Sequence, residues 1–295
     1  MNHTTLLIFK LVAETQSVTQ AAKQLGRAQS NITTRIQQLE EELDAELFVR
    51  GNKKMLLSPA GQNFLSYARR ILSLAEEAKL ALHPARPAGT LKLGAMEACA
   101  ASRLPAILPL FQQRCPDADL TLRTMPTRQL TELVENSTLD CALVSLPAGP
   151  DGSLQCPQTL EYLPLFIEQL VLIAPVEGRN YRFAAFPAGC SYRQRGIEYL
   201  QQTGAHVDIV DVSSYHAMMA NVATGRYVCL LPESVLALLT LPAGCQTQYV
   251  TQAATQLIWR RGYVSPILDA LRQLLLAPAA GNQPGGSQQH AAGRQ

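Results

Sequence analysis

Four short polar side chains, Ser30, Thr33, Thr34 and Gln37, share one helical face of the stretch AQSNITTRIQQLEEEL, which begins at Ala28. The opposite face carries Ile32, Ile36, Leu39 and Leu43, spaced four, three and four apart, an apolar stripe suited to burial. A solvated helix face ordinarily carries Glu and Lys, which favour helix and water alike. Short hydroxyls and amides instead suit a surface that approaches a partner closely and exchanges hydrogen bonds with it. Between Glu46 and Glu76 come five bases, Arg50, Lys53, Lys54, Arg69 and Arg70, and no acid, so the expected neighbour is anionic.

A second set of reactive residue types lies further along: Glu97 and Cys99, then Cys190 and Arg193, then Tyr215 and His216. A thiol beside an imidazole can serve as nucleophile and base, so Cys99 or Cys190 with His216 defines an enzymatic alternative. No catalytic motif surrounds them: there is no Gly-x-Ser-x-Gly, no glycine-rich phosphate loop before a lysine and no His-Glu-x-x-His. The seven cysteines, an odd number, form no Cys-x-x-Cys pair and no Cys/His cluster at zinc spacing. Reduced thiols are expected, with no disulfide framework, no metal and no cofactor, and Cys141 and Cys229 read as small apolar filler. No catalytic residue is assigned.

These groups need a scaffold, and 295 residues with 47% apolar content have room for two domains or more with sizeable cores. The start, MNHTTLLIFKLVAETQS, has no basic leader and no small-residue cleavage site, and no segment is apolar for the length a bilayer requires. A soluble, cytoplasmic protein without a membrane partner is expected. Net charge is only +2, but residues 1–89 hold 11 Lys and Arg against 8 Asp and Glu, whereas the remainder is balanced.

Residues 4–14 read as a short amphipathic helix. Ser17 then caps a second helix, VTQAAKQL, which Gly26 ends in the left-handed conformation. The helix with the polar face follows at once, and LFVRGNKKMLLSPAG reads as a β-hairpin with a basic tip around Gly51-Asn52. Helix, tight turn, helix and basic hairpin make a winged helix-turn-helix, whose second helix enters the major groove of DNA. Gln29, Ser30, Asn31, Thr33, Thr34, Arg35 and Gln37 are the candidate DNA contacts on that helix, Gln29 suited to adenine and Arg35 to guanine or phosphate. Arg50, Lys53 and Lys54 would meet phosphates or the minor groove. The competing reading gives these helices a protein partner, leaving the chain a ligand-binding module.

From Ser58 to about Leu82 one long helix is expected, with Pro59 in its first turn. Phe64, Tyr67, Ile71, Leu74 and Ala78 make one apolar stripe and Leu65, Ala68, Leu72 and Ala75 a second beside it. Two stripes call for two partners, the helix's own domain and a second copy, so the first stripe is the candidate dimer contact. HPARPAGT (83–90) reads as a hinge. Beyond it, short β-like runs alternate with helices twice over, which implies two lobes with parallel sheets. The boundaries expected are 1–57 for the winged helix-turn-helix, 58–82 for the linker, 83–90 for the hinge and 91–276 for the α/β domain. Its lobes are 91–165 plus 263–276, and 166–262, with the strand ATQLIWRR and the helix after Ser265 returning to the first lobe. Residues 277–295 are too poor in apolar side chains to fold and are expected to be disordered.

The run SVTQAAKQLGRAQSNITTRIQQLEEELDAELFVR followed by LLSPAG resembles the N-terminal signature of the LysR-type transcriptional regulators over almost the first ninety residues. Ala21-Ala22, Gln29-Ser30, Ile36 to Glu40 and Leu47 to Arg50 carry the match. The resemblance implies a bacterial DNA-binding regulator, a dimerising linker helix and a two-lobed effector-binding domain of periplasmic-binding-protein type. It also implies promoter DNA, a small-molecule effector and RNA polymerase as partners, in a homodimer or homotetramer. GCSYR and SYHAMMANVATGRYVCLLP resemble a subgroup tied to amine and amino-acid catabolism.

In a two-lobed α/β domain, ligands sit between the lobes at strand C-termini and helix N-termini. By the element reading, Glu97, Cys99, Ala100, Ala101 and Ser102 fall there, with Ser145, Leu146, Cys190, Ser191, Arg193, Tyr215 and His216. Helix N-termini at Ser102 and Ser191, with the fork of Arg193, suit a carboxylate. Glu97 departs from the small hydroxyl residues common in the family near this point and suits an ammonium, so an amino acid or amine is expected as effector. The bland alternative pairs Glu97 and Arg193 with each other or with solvent.

Overall fold

The computed structural model describes residues 1–51, 54–82, 88–149, 152–176, 181–203 and 207–277. The chain begins with three helices, α1 (His3–Thr15), α2 (Val18–Leu25) and α3 (Gln29–Leu43). Each terminus has a local cause. Asn2 accepts the Thr5 amide, Ser17 accepts the Gln20 amide, and Gly26 closes α2 at φ 61°. Ile32, Ile36 and Leu39 of α3 lie at 0 to 2% exposure against Ile8, Phe9 and Val12 of α1.

A hairpin follows, β1 (Phe48–Gly51) with β2 (Lys54–Leu57), in antiparallel register from Phe48 opposite Leu57 to Gly51 opposite Lys54. Asn52 and Lys53 at its tip, and the side chain of Arg50, lie outside the described residues. Helix α4 (Pro59–Ala81) is started by Ser58, whose hydroxyl donates to the Glu46 carbonyl at 2.6 Å and accepts the Gly61 amide at 2.9 Å. A Cβ on Gly61 would stand 2.0 Å from the Leu47 carbonyl oxygen, so the Ser-Pro-Ala-Gly turn admits no larger residue.

The α/β domain takes the remaining elements in chain order. They are β3 (Gly89–Ala95), α5 (Glu97–Ser102), α6 (Leu104–Arg114), β4 (Ala118–Thr124), α7 (Thr127–Glu135), β5 (Cys141–Val144) and β6 (Leu160–Pro175). There follow β7 (Arg182–Ala185), α8 (Ser191–Gln202), β8 (Asp208–Asp211), α9 (Tyr215–Val222), β9 (Tyr227–Pro232), α10 (Glu233–Leu236), β10 (Cys245–Arg260) and α11 (Pro266–Leu276). The sheet order is β4-β3-β5-β10-β6-β9-β7-β8. Parallel pairings β3 with β4 and β5, and β7 with β8 and β9, form the two lobes. Their central strands are apolar on both faces: all four residues of β5 are buried.

Two features differ from the sequence reading. Leu160 to Pro175 is one strand rather than a passage before a strand, and β10 is equally long; these two pair antiparallel along their length and cross both lobes. A register shift between Thr255 and Gln256 lies opposite the segment around Pro164, where a missing N–H breaks the ladder. Gln256 to Trp259 pair with β5, so the strand ATQLIWRR belongs to the first lobe as read, and the crossing falls within β10 near residue 255 rather than at the lobe boundary of 262. The proposed tail beyond residue 277 and most of the 83–90 hinge lie outside the described residues.

Replacing Gly61 by Ala is expected to destabilise the N-terminal domain by about 1–3 kcal/mol through forced displacement of Leu47. Urea unfolding followed by hydrogen exchange should show earlier opening in α1–α4 and no change in the α/β domain.

Candidate nucleic-acid interface and effector cleft

The apolar stripe of α3 turns its other face outward: Gln29, Ser30, Asn31, Thr33, Thr34 and Gln37 are all exposed, and Arg35 is half-buried. The Thr33 hydroxyl rests on the Gln29 carbonyl at 3.1 Å, which leaves its lone pairs facing solvent. The wing is held to this helix by a residue that the sequence reading took only as part of a motif. The Glu40 carboxylate accepts the Leu47 amide at 2.8 Å and the Phe48 amide at 3.0 Å, two charge-assisted bonds that fix where β1 departs. On the other side the Met55 amide donates to the Gln16 carbonyl at 3.1 Å. Lys54 is exposed beside this wing.

Helix α4 divides its two stripes. Ala68 and Leu72 are buried in the N-terminal core, while Tyr67, Ile71, Leu74 and Ala78 face outward, Tyr67 at 59% and Leu74 at 66% exposure. Phe64, placed with the dimer stripe in the sequence reading, turns inward: its ring meets Phe9 edge-on at 5.1 Å. The same helix is tied to the first lobe. Arg260, the last residue of β10, donates to Ser73 at 3.0 Å and to Glu77 at 3.1 Å on α4, and to the Leu139 carbonyl at 3.2 Å.

Between the lobes lies a cavity of about 200 Å³ lined by Glu97, Met125, Thr127, Phe186, Tyr192 and Tyr215, among others. Phe186 and Tyr215 meet edge-to-face at 5.0 Å. A second hollow, about 530 Å³, adjoins it through Thr127 and Cys190 and reaches Leu146, Ser191 and Arg193. The side-chain oxygens of Ser145 and Ser191 and the Gln256 amide nitrogen are buried with no hydrogen-bond partner among the described residues. Gln256 uses its other end to accept the Leu146 amide at 2.9 Å. Buried polar atoms without partners are rare in folded proteins and mark a place where water or a ligand completes them.

Several predicted residues move out of the ligand role. Ser102 does not open a helix; it ends α5, donating to the Ala98 carbonyl at 2.7 Å and accepting from Ser234 at 3.2 Å, while Arg103 separates α5 from α6. Ala100 and Ala101 are half-buried on that short helix. One terminal nitrogen of Arg193 donates both to the Phe186 carbonyl at 2.9 Å and to Asp211, which turns the side chain toward β8. Glu97 has no ion pair among the described residues, so of the bland alternative the mutual pairing with Arg193 is absent. His216 is exposed and lines neither hollow. Burial raises the Cys99 thiol to about 12, with Glu168 adding to the effect, so it is protonated at neutral pH and is no nucleophile. Burial likewise raises Cys190.

Sequence reasoning missed Thr127, whose hydroxyl accepts the Ser145 amide at 3.3 Å, and did not single out Tyr192, buried beside Thr255, within the Cys190 to Arg193 segment it placed at the cleft. It also missed the ion pair of Arg103 with Glu168, where the buried carboxylate receives two donors at 3.0 and 2.7 Å. Gln256 carried a readable signal, an amide inside the largely apolar second half of β10.

A winged helix-turn-helix with an outward polar face, joined by a long helix to two lobes around a cavity, defines a ligand-responsive DNA-binding protein. Family models agree with that class: the bacterial regulatory helix-turn-helix protein, lysR family, matches residues 3–62, and the LysR substrate binding domain matches residues 84–280. The chain belongs to the LysR family and is a DNA-binding transcriptional regulator with an effector-binding domain; the family consists of regulators and not enzymes. It is 35% identical over 238 residues to the HTH-type transcriptional regulator YofA of Bacillus subtilis, covering 78% of this chain and 81% of that one. The HTH-type transcriptional regulator GltR of Bacillus subtilis is 34% identical over 248 residues, covering 80% and 81%. Full-length CbnR complexed with its target DNA shares the fold, with a TM-score of 0.62 at 23% identity, over 93% of this chain and 99% of that chain. Among the described residues no helix is long and apolar enough to cross a membrane.

Proposed function

We propose that α3 reads base edges in the major groove through Gln29, Ser30, Asn31, Thr33, Thr34, Arg35 and Gln37. Lys54, with Arg50 and Lys53, would hold the neighbouring phosphates. The observation that carries this is the division of α3 into one face at 0 to 2% exposure and another whose hydroxyls and amides are all exposed. Two chains pair through Tyr67, Ile71, Leu74 and Ala78, apolar groups with no cover in the monomer, which sets two recognition helices on a near-palindromic site. Two such pairs form a tetramer, working in the cytoplasm with RNA polymerase as downstream partner.

The effector carries an ammonium group that pairs with Glu97 between the Phe186 and Tyr215 rings. No Lys or Arg lines that cavity among the described residues, which favours a cationic ligand, an amine or amino acid, over a simple carboxylate. Ligand closes the lobes by binding one arrangement better than the other. The change passes from Leu146, in the wall of the second hollow, to its partner Gln256 and along β10 to Arg260 and thence to α4.

Thr33→Asp is expected to abolish binding to a duplex selected by the unaltered protein, because it sets an anion against phosphates, while circular dichroism and the urea midpoint stay unchanged. Normal affinity in a gel shift would refute the DNA reading.

A thermal-shift screen of amino acids and polyamines tests the effector reading. Ligands bearing an amine should raise the melting temperature and lose that effect with Glu97→Gln. Hits confined to amine-free carboxylates, equally effective on Glu97→Gln, would count against it.

A further inference from the structure

A hollow of about 300 Å³ lies in the seam between the N-terminal domain and the first lobe, lined by His3 and Lys10 of α1, Arg69, Ser73 and Glu76 of α4, and Lys92 of β3. Ser137, after α7, closes it. Three cationic side chains from three elements thus converge on one space. Among the described residues neither Lys10 nor Lys92 has an ion pair or hydrogen bond through its ammonium group. Burial lowers the Lys10 pKa, Lys92 and Arg69 lower it further, and only Glu14 opposes them.

The donors in this seam are incompletely used. Arg69 gives one terminal nitrogen to Glu14 at 3.1 Å, but its Nε is buried with no acceptor. The hydroxyl of Ser137, a residue 6% exposed, is also buried with no partner. The acids nearby answer these donors only in part: Glu14 takes one Arg69 nitrogen, and Asp140 attracts Lys92 without an ion pair. Glu76 is taken up by Lys79 at 2.7 Å and stands 3.8 Å from His3 at the rim, and Asp140 accepts the Lys92 backbone amide at 2.8 Å. Like charges gathered around unpaired buried donors are unfavourable in an empty seam and favourable around an anion.

We propose that this seam is a binding site for a small oxyanion of the phosphate or sulfate class, held by Lys10, Arg69, Lys92 and the Ser137 hydroxyl. The volume accommodates a tetrahedral anion with several waters of about 30 Å³ each. Because the ligands come from both domains, the anion stabilises the arrangement in which the first lobe is docked on α1 and α4. It acts alongside the contact of Arg260 with Ser73, which lines the same hollow. A phosphate-bearing metabolite or inorganic phosphate would therefore bias the position of the DNA-binding domain independently of the cleft between the lobes.

The test titrates inorganic phosphate and, separately, sulfate against the full chain at constant ionic strength made up with chloride, reading the melting temperature. A saturable rise with phosphate and sulfate, absent with chloride, is expected. Lys92→Gln and Lys10→Gln should each weaken the apparent affinity about tenfold, the loss of one charge-assisted contact. Without phosphate, both variants should melt at or above the temperature of the unaltered chain, since each removes a like charge. An equal rise with chloride, or variants that respond as the unaltered chain does, would overturn the site. So would Lys92→Gln losing affinity for a random duplex while phosphate leaves the unaltered chain unmoved, which would give these cations to the DNA backbone.

Discussion

The antiparallel pairing of β6 with β10 is the constraint on which the rest of the α/β domain depends. Two strands of sixteen residues run side by side through both lobes, so the lobes cannot separate and can only change their mutual angle. The cavity exists because these strands span the gap while the helices and loops on either side do not close it. Gln256 and Thr255 sit where the ladder shifts register, and Gln256 accepts the amide of Leu146, a residue in the wall of the second hollow, while its amide nitrogen is buried without a partner. Four residues further along the same strand, Arg260 grips α4. One rigid element therefore links Leu146, in the wall of the second hollow, to the helix that carries the DNA-binding domain.

The N-terminal domain works by the same economy of contacts. The isoleucine stripe fixes the rotation of α3, Glu40 fixes the wing against it, and the Ser58 to Gly61 turn fixes the exit into α4. An exposed polar face on a helix so firmly seated is preorganised for a partner that must be met in one register, which DNA is. The stripe of α4 at Tyr67, Ile71 and Leu74 is exposed apolar surface, which supports the proposed pairing of two chains on a two-fold site.

Local chemistry was legible wherever a signal was local. Ser17 and Gly26 bracket α2, the stripe of α3 is read from spacing alone, and the hairpin follows from its turn residues. The continuity of β6 was hidden because Pro164, Glu161 and Glu168 interrupt its apolar pattern, each for a reason found only in three dimensions. Pro164 lies where the ladder shifts register, Glu161 accepts the Trp259 indole, and Glu168 accepts Arg103. The break between α5 and α6 had a signal, Pro105 at the start of a helix, which the reading passed over when it set the helix start at Ser102. Arg193 read as a free cation because its partner, Asp211, stands on another element. The pairing of Arg260 with Glu77 joins residues 183 apart and had no sequence signal at all.

The central claim is that the cleft speaks to the DNA-binding domain through β10 and its hold on α4, and removal of Glu77 tests it most directly. Footprints of the Glu77→Ala protein on its operator, with and without an effector from the thermal-shift screen, should become identical in length and bending although effector affinity is retained. An effector-dependent change in that footprint equal to the one seen with Glu77 in place would contradict the account.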